Sequence, residues 1–280
     1  MLDPVATTGL LVAAIRGDET RRPDPLFRDP YADHLAGDIG RATLATYRAA
    51  TGLATPVIEL RTRYYDDAIA RAQTAGIQQF VLLAAGMDAR AYRLAWPPAT
   101  HLYEVDRPAV LAHKAALLAD TAPTCTRTAV PIDLADDWPA ALVAAGFDPT
   151  IKTCWLVEGL LQYLEQPFIA TLFARLAALA APGSRVLYDV IGRVLLDAPF
   201  MAAATSMMRD LGAPWRFGTD DPAALVTPHG FTAAVQDIAG LGLRLGRWPM
   251  PFAPGPGGPR GYLVEATLDA AAHSSASRSI

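Results

Sequence analysis

Short runs of apolar residues alternate along the chain with longer segments in which apolar side chains recur at helical spacing. The runs predict seven strands, near residues 80–83, 101–105, 126–132, 153–157, 185–190, 241–247 and 261–268. The longer segments predict helices, for example over 57–75, 108–118 and 166–181. Unbroken apolar runs are typical of strands that are covered on both faces, as in a parallel sheet. The alternation therefore predicts an α/β fold.

Two regions depart from this alternation. Residues 1–55 precede the first strand and are helix-prone, and residues 191–230 are irregular and rich in methionine and aromatic side chains. We interpret 56–190 and 231–268 as the core sheet of a single domain, and 269–280 as a flexible tail. Residues 1–55 either simply pack over the sheet as a helical cap or close the active site. Residues 191–230 are either core packing or, as we favour, a lid over the substrate.

The ends of the first two strands carry the residues that suggest a ligand. The first strand breaks at Ala84 and Gly86, and Asp88 follows. Small residues at the carboxyl end of a central strand let the backbone approach a ligand closely. The second strand contains Glu104 and ends at Asp106, 20 residues after Gly86. An acid at this spacing is placed to bind the hydroxyls of a ribose, which predicts a nucleoside cofactor.

Two nucleoside cofactors fit that geometry, and the turn favours one of them. A dinucleotide fold requires the pattern G-x-G-x-x-G, so that a pyrophosphate can lie at a helix N-terminus. This turn has a single glycine, and Asp88 would repel a diphosphate. S-adenosylmethionine has no phosphate and has a cationic, amino-acid-like end. The turn therefore favours this cofactor over a nicotinamide dinucleotide.

Three stretches carry a resemblance to a known family. They are RTRYYDD at 61–67, AAGMDARAYRL at 84–94 and YEVDRP at 103–108. The chain resembles the leucine carboxyl methyltransferase-like family over about residues 5–266, and more closely an actinobacterial branch of S-adenosylmethionine-dependent methyltransferases. The resemblance implies a class I methyltransferase fold. That fold is a Rossmann-like, doubly wound sheet of seven strands, mostly parallel, with an antiparallel hairpin at its C-terminal end.

Two arginines are candidates for binding a carboxylate. Arg61 lies on an otherwise apolar stripe of the predicted helix 57–75, so its charge needs a partner. The partner is either Asp88 or another carboxylate of the protein, or the carboxylate of the cofactor's methionine. The resemblance favours the methionine carboxylate. It also implies that Arg16 lies near the cofactor or the substrate carboxylate, although a single arginine in a helix is usually solvated.

Further cofactor contacts follow from the resemblance. Asp133 and Leu134, at the end of the third predicted strand, match the family's adenine-binding pair, although an acid there is also typical of a helix N-cap. Glu158, at the end of the fourth strand, matches a glutamate near the cofactor's amino group. Many methyltransferases have a glycine where this chain has Ala84, so we expect at most weaker binding there.

The nucleophile determines whether the reaction needs a base. A carboxylate, with a pKa of about 4, is ionised at neutral pH, whereas a phenol, with a pKa of about 10, needs a base. His34 and His229 lie in the two outlying regions and could serve, although each is more simply structural. The candidate catalytic residues are Arg16, Tyr31, Tyr163 and His229.

We therefore predict an O-methyltransferase that acts on a carboxylate of a small molecule, natural product or peptide. A hydroxyl methyltransferase of secondary metabolism and a non-catalytic cofactor-binding protein remain alternatives. No pattern typical of a metal site or a hydrolase is visible.

Composition excludes several other partners. The formal charge of −4 gives no basic face for nucleic acid, and no apolar run reaches membrane length. The two cysteines, Cys125 and Cys154, form no disulfide framework. We expect a cytoplasmic protein whose partner is its small-molecule or peptide acceptor. The pattern leaves the oligomeric state open.

Overall fold

Seven strands form one mixed sheet in the computed structural model, which describes residues 2–52, 55–251 and 253–269. In chain order the strands are β1 (Gln79–Leu83), β2 (His101–Asp106), β3 (Thr126–Pro131), β4 (Thr153–Val157), β5 (Arg185–Ile191), β6 (Phe231–Asp237) and β7 (Gly261–Leu268). Their order across the sheet is β3-β2-β1-β4-β5-β7-β6. The first five run parallel, and β7 lies antiparallel between β5 and β6. This confirms the predicted class I methyltransferase architecture.

Helices cover both faces of the sheet. The α-helices of the described residues are α1 (Pro4–Thr20), α2 (Ala32–Thr51), α3 (Val57–Thr74), α4 (Arg90–Arg93), α5 (Pro108–Leu117), α6 (Trp138–Ala144), α7 (Gln166–Ala178), α8 (Arg193–Leu196), α9 (Ala202–Asp210) and α10 (Ile238–Arg244). Short 3₁₀ helices occur at Leu161–Tyr163, Pro199–Met201, Ala223–Leu225 and Thr227–His229.

The central strands are buried because two apolar layers meet on them. Every residue of β1 and β4 is buried. Along β1, Phe80 and Leu82 pack into the layer that contains α1, α2 and α3, whereas Val81 and Leu83 pack into the layer that contains α6 and α7. Side chains of a strand alternate between faces, so a strand between two helical layers is apolar at each position. This explains the unbroken apolar runs.

The prediction of a strand over 241–247 is wrong. The sixth strand is β6, over Phe231–Asp237, and residues 241–244 lie in α10. Leu241, Leu243 and Leu245 alternate with other residues and so imitate a strand. The strand β6 lies at the edge of the sheet and is largely exposed, so it has no apolar run of its own. Asp237 ends it and begins α10 by accepting a hydrogen bond from the Gly240 N–H at 2.9 Å.

The two regions outside the core sheet, residues 1–55 and 191–230, pack against different parts of the fold. Residues 1–55 contain α1 and α2, which pack against each other, and α2 is a long helix with a kink at Gly37. In the segment 191–230, α9 contacts α2, whereas the 3₁₀ turns at Ala223–Leu225 and Thr227–His229 pack against α7 and β6. The predicted tail beyond Asp269 lies outside the described residues.

Candidate functional site

A large cleft opens at the carboxyl edge of the parallel strands. Its volume is about 1470 Å³, which exceeds the ~300–1000 Å³ of a typical single-ligand pocket. The cleft is lined by the ends of β1, β2, β4 and β5 and by parts of α1, α3 and the segment 191–230. The predicted site residues that line it are Arg16, Arg61, Ala84, Gly86, Asp88, Asp106, Asp133, Leu134, Glu158 and Tyr163. The structure thus brings most of the predicted site together.

The turn after β1 forms the centre of the cleft. Both Ala84 and Gly86 have positive φ angles, 54° and 47°. The Gly86 N–H donates a hydrogen bond to Asp106 Oδ2 at 2.7 Å, and the Arg107 N–H donates to Asp106 Oδ1 at 2.7 Å. Burial raises the pKa of Asp106, and these two amides and the charges of Lys114 and Arg107 oppose that effect. The glycine turn and the acid at the end of β2 are therefore in direct contact at the cleft.

Arg61 pairs with two carboxylates of the protein. Its Nε donates to Glu158 Oε1 at 2.9 Å, and its Nη1 donates to Asp189 Oδ2 at 2.9 Å. The third nitrogen, Nη2, makes no hydrogen bond within the described residues and lies against Gly159. Burial alone would lower the pKa of Arg61, but the charges of Asp189 and Glu158 raise it. In this structure Arg61 is therefore paired with two carboxylates of the protein, and Nη2 is its one nitrogen without such a partner in the described chain.

Sequence reasoning missed Asp189, which completes this part of the site. Its Oδ1 accepts a hydrogen bond from the Gly159 N–H at 2.7 Å, so it holds the chain after β4 beside Arg61. Burial raises its pKa, and the charge of Arg61 opposes that effect. Asp189 lies inside the apolar run of β5, where a charged residue stands out. That interruption was the available signal.

Glu158 also belongs to a second arginine. Its Oε2 accepts a hydrogen bond from Arg90 Nη1 at 2.7 Å, and Arg90 Nη1 also pairs with Asp88. Burial would raise the pKa of Glu158, but the charges of Arg90 and Arg61 lower it. For Asp88 the charges of Arg90, Arg16 and Arg93 outweigh burial and lower the pKa to about 2. Both carboxylates are therefore ionised and held in place.

The helix α1 brings Arg16 into the same cluster of charges. Arg16 Nε donates to Asp29 Oδ2 at 2.9 Å, and its Nη2 donates to the carbonyl of Met87 in the turn after β1. Arg16 is 7% exposed. It is therefore a buried residue that links α1 to the turn after β1, not a solvated arginine. Tyr163 lies nearby on the cleft wall, where its hydroxyl donates to Thr8 Oγ1 at 3.2 Å.

Asp133 and Leu134 lie where β3 leads into the cleft. Asp133 Oδ1 accepts a hydrogen bond from the Ala135 N–H at 2.9 Å, which stabilises a local turn. The helix that follows is capped by Asp137, whose Oδ1 accepts from the Ala140 N–H at 3.3 Å. The alternative that Asp133 caps this helix is therefore wrong. Its second oxygen, Oδ2, makes no hydrogen bond to the described residues.

Two predicted residues, Glu104 and Tyr31, lie outside the cleft. Glu104 is fully buried and pairs with Lys114 Nζ at 2.8 Å and with Arg127 Nη2 at 2.5 Å. Side chains two apart share a face of a strand, but only Asp106, at the strand tip, reaches the edge. Glu104 is therefore corrected to a buried structural role. Tyr31 is corrected from a catalytic candidate to a packing residue. It is half-buried and packs edge-on against Tyr92, with ring centroids 6.1 Å apart.

The two histidines considered as bases are also elsewhere. His229 precedes β6, whose first residue, Phe231, pairs with Leu268 at the end of β7. Because β7 runs antiparallel to β5, this places His229 at the opposite edge of the sheet from the cleft. His34 Nε2 lies 2.8 Å from the carbonyl of Leu117, at the end of α5. No histidine of the described chain lines the cleft.

Arg260 and Glu59 are two further charged residues of the cleft that were not anticipated. Each cleft arginine of the described chain pairs with a carboxylate, except Arg260. Arg260 Nη2 donates to the carbonyl of Pro254 at 2.7 Å, and its Nε is buried without a partner. Glu59, in the first turn of α3, has no ion-pair partner in residues 2–52, 55–251 and 253–269. Neither residue belongs to a motif, so only the fold reveals them.

The described residues also bear on metal binding and on membrane insertion. No group of His, Cys, Asp and Glu side chains within the described residues is arranged to hold a metal ion. In the same part of the chain, no helix combines the length and apolar character needed to span a membrane.

Comparisons with solved structures agree with the architecture. A candidate methyltransferase from Thermobifida fusca matches with a TM-score of 0.63 and 17% identity, covering 94% of each chain. A DUF574 family protein from Streptomyces avermitilis matches with a TM-score of 0.61 and 17% identity, covering 91% of this chain and 96% of that one. At this identity the two structures show the fold.

Sequence comparisons show the family. The leucine carboxyl methyltransferase model matches residues 9–177. A Mycolicibacterium vanbaalenii protein, named as a candidate S-adenosyl-L-methionine-dependent methyltransferase, is 43% identical over 225 residues, 74% of each chain. A protein of the same name from Mycobacteroides abscessus is 44% identical over 195 residues, 66% of this chain and 63% of its own. The chain belongs to the leucine carboxyl methyltransferase family and is an S-adenosylmethionine-dependent methyltransferase.

Proposed function

We propose that the protein transfers the methyl group to a carboxylate oxygen of a small molecule, natural product or peptide. The observation that carries the proposal is Arg260, a cleft arginine whose guanidinium has no carboxylate partner in the described chain. Arginine binds carboxylates through paired, charge-assisted hydrogen bonds. An acceptor carboxylate would supply the missing partner.

The residues of the cleft fit the cofactor. Asp106 would bind the ribose, Asp133 and the backbone of Leu134 the adenine, Arg61 Nη2 the methionine carboxylate, and Glu158 the amino group. Two features of the structure support this assignment. The glycine turn brings bare backbone to the cleft, and the Asp133 Oδ2 and Arg61 Nη2 atoms have no hydrogen bond to the described residues.

The acceptor would lie over the other half of the sheet. The Arg260 carbonyl accepts a hydrogen bond from the Gly192 N–H at 2.8 Å, which places Arg260 beside the end of β5. The adenosine contacts lie over β1, β2 and β3, on the far side of β4. Apolar residues of the segment 191–230, among them Met201 and Trp215, line the cleft. They would exclude water from the reacting groups.

The chain's own contribution is positioning. When bound, the cofactor supplies a methyl group on a sulfonium, which is open to in-line displacement by an oxygen nucleophile. A carboxylate is already ionised at neutral pH, so its reaction needs no proton transfer. Arg260 would hold and orient the acceptor oxygen, and holding two reactants in line is a large part of the rate gain in such reactions. No histidine of residues 2–52, 55–251 and 253–269 lines the cleft, which is consistent with this chemistry.

The proposal is tested with matched acceptors. Acids, their amides and their alcohols are incubated with the cofactor, and S-adenosylhomocysteine is measured. We expect acids to react, with a kcat that stays flat from pH 6 to 9. Arg260→Met should raise KM for an acid by about 10–100-fold, since a hydrogen bond to a charged group contributes ~1.5–3 kcal/mol. Arg260→Lys should recover part of this loss.

Arg216→Met is the control, because Arg216 is exposed and pairs with Glu165 outside the cleft. Equal KM values for acids in the Arg260→Met and Arg216→Met variants would contradict the role of Arg260. Reaction of alcohols, with a kcat that rises with pH, would contradict the carboxylate assignment. It would favour hydroxyl methylation, for which Glu59 is the available proton acceptor in the cleft.

A further inference from the structure

Glu59 occupies an unusual position for a carboxylate. It lies in the first turn of α3, after Val57 and Ile58, and it is half-buried in the wall of the cleft. Leu44 and Tyr47 of α2 line the same cleft. Burial makes ionisation of an acid unfavourable unless a cation or a hydrogen-bond donor lies beside it.

The charged groups that face Glu59 are already occupied. From α1, Glu19 accepts a hydrogen bond from the Leu26 N–H at 2.6 Å and lies 3.4 Å from Arg247 and 3.6 Å from Arg22. Among the described residues, the cation that acts on Glu59 is Arg48 of α2, which is bound to Asp18 at 2.6 Å. Within the described chain Glu59 therefore has no hydrogen bond or ion pair with another residue.

The other acids of the cleft differ from Glu59. Asp88, Glu158 and Asp189 pair with arginines, and Asp106 accepts two backbone hydrogen bonds. Burial raises the pKa of Glu59 to about 7, with smaller opposing effects from its own N–H and Arg48. Glu19 and Asp18 add to the rise. Compared with these acids, Glu59 thus lacks a positively charged partner within the described chain.

We propose that Glu59 binds a protonated amine of the methyl acceptor, so that the acceptor is an amino acid or peptide-like molecule with an ammonium group remote from the reacting carboxylate. The carboxylate half of this description rests on the proposed function. The ammonium half rests only on Glu59. Glu59 and Arg260 stand on different elements of one cleft, and an amino acid or short peptide carries the two complementary charges.

Binding of a simple amine tests the site without methyl transfer. Hexylamine, 1-hexanol and hexanoate are titrated into the S-adenosylhomocysteine-loaded protein by calorimetry or ligand-observed NMR. Hexylamine stays protonated from pH 6 to 8, because alkyl amines ionise near pH 10. Since Glu59 titrates with a pKa of about 7, ammonium affinity should rise about tenfold over this range. The alcohol should show no such change.

Glu59→Gln keeps the shape and removes the charge. It should weaken hexylamine binding at pH 8 at least fivefold and abolish its pH dependence, with hexanoate unaffected. Glu165→Gln, at an exposed glutamate outside the cleft, should behave as the wild type. Undetectable binding of hexylamine to the wild type, or unchanged binding in Glu59→Gln, would overturn the proposal.

The melting temperature distinguishes a role of Glu59 in ammonium binding from a role in stabilising α3. A glutamate in the first turn can stabilise a helix through its dipole, and in that case Glu59→Gln would lower the melting temperature. Loss of an unpartnered buried charge should instead raise it at pH 8. The folded-state pKa exceeds the unfolded one, so the wild type loses stability as pH rises towards 7 and the variant does not. Failure of the carboxylate assay would leave this ammonium test unaffected.

Discussion

Ala84 has a backbone conformation that few side chains adopt. Its φ is 54°, and it is the one residue other than glycine with a positive φ among residues 2–52, 55–251 and 253–269. The left-handed region costs an L-residue about 1–2 kcal/mol. Strain of this kind is often found at ligand sites, where the surrounding structure holds it in place. Many methyltransferases have glycine at the position of Ala84, and the backbone conformation of Ala84 is one that favours glycine.

Replacing Ala84 by glycine should therefore stabilise the protein. Relief of the positive φ outweighs the entropy that glycine adds to the unfolded chain, for a net gain of about 0.5–1 kcal/mol. Denaturant unfolding without cofactor measures it. Ala85→Gly is the matched control, because Ala85 has no positive φ, and it should lose about 0.5–1 kcal/mol. Equal losses in both variants would show that Ala84 is not strained.

At the scale of elements, the link between α3 and the end of β4 depends on Gly159. Its φ is 67°, and a Cβ there would lie 3.0 Å from Arg61 Nη2 and 3.1 Å from Nη1. The same residue gives its N–H to Asp189. A side chain would therefore push against the guanidinium that we assign to the methionine carboxylate.

Gly159→Ala should lower both stability and cofactor affinity. The backbone cost is about 1–2 kcal/mol, and the displaced guanidinium adds to it. Calorimetry should show S-adenosylmethionine binding weakened at least tenfold. Gly183→Ala separates the two effects, since Gly183 has a φ of 83° but open space around its Cβ position. Gly183→Ala should lower stability without lowering cofactor affinity. Equal cofactor affinities in Gly159→Ala and Gly183→Ala would contradict the assignment of Arg61.

Buried charges connect several elements into one assembly. Arg90, only 2% exposed, pairs with Asp88, Glu158 and Asp66, and Asp66 also binds Arg93. The network reaches from α3 through the turn after β1 to the end of β4. Such networks are stable when every charge has its partner and costly when one is removed.

Arg90→Met should accordingly cost about 3–5 kcal/mol in the free energy of unfolding, because it leaves several carboxylates buried without a partner. Denaturant unfolding would measure the loss. Arg193→Met is the comparison, since Arg193 forms an exposed i, i+4 pair with Asp197 and should cost less than ~0.5 kcal/mol. A small loss in both would mean that solvent reaches the network.

For the whole molecule, sequence reasoning was most successful for strands that are buried on both faces. Strands covered on both faces, such as β1 and β4, show as apolar runs, whereas the exposed edge strand β6 does not. The spacing of Gly86 and Asp106 indicated that both lie at the same edge of the sheet, because one strand–helix–strand step returns the chain to that edge. Partners across the fold, such as Arg61 with Asp189, required the sheet order. His229 was misplaced because the sixth strand was predicted at 241–247 rather than at Phe231–Asp237, which left His229 in the proposed lid segment 191–230.

The order β5-β7-β6 also bears on how relatives of this protein can diversify. The segment after β5 and the loop before β7 leave neighbouring strands at one edge, so both border the same half of the cleft. The residues that we propose to bind adenosine follow β1, β2 and β3, which contribute to neither insertion. Chimeras that exchange only those two insertions among paralogues could therefore acquire new acceptor preferences on an unaltered nucleoside scaffold.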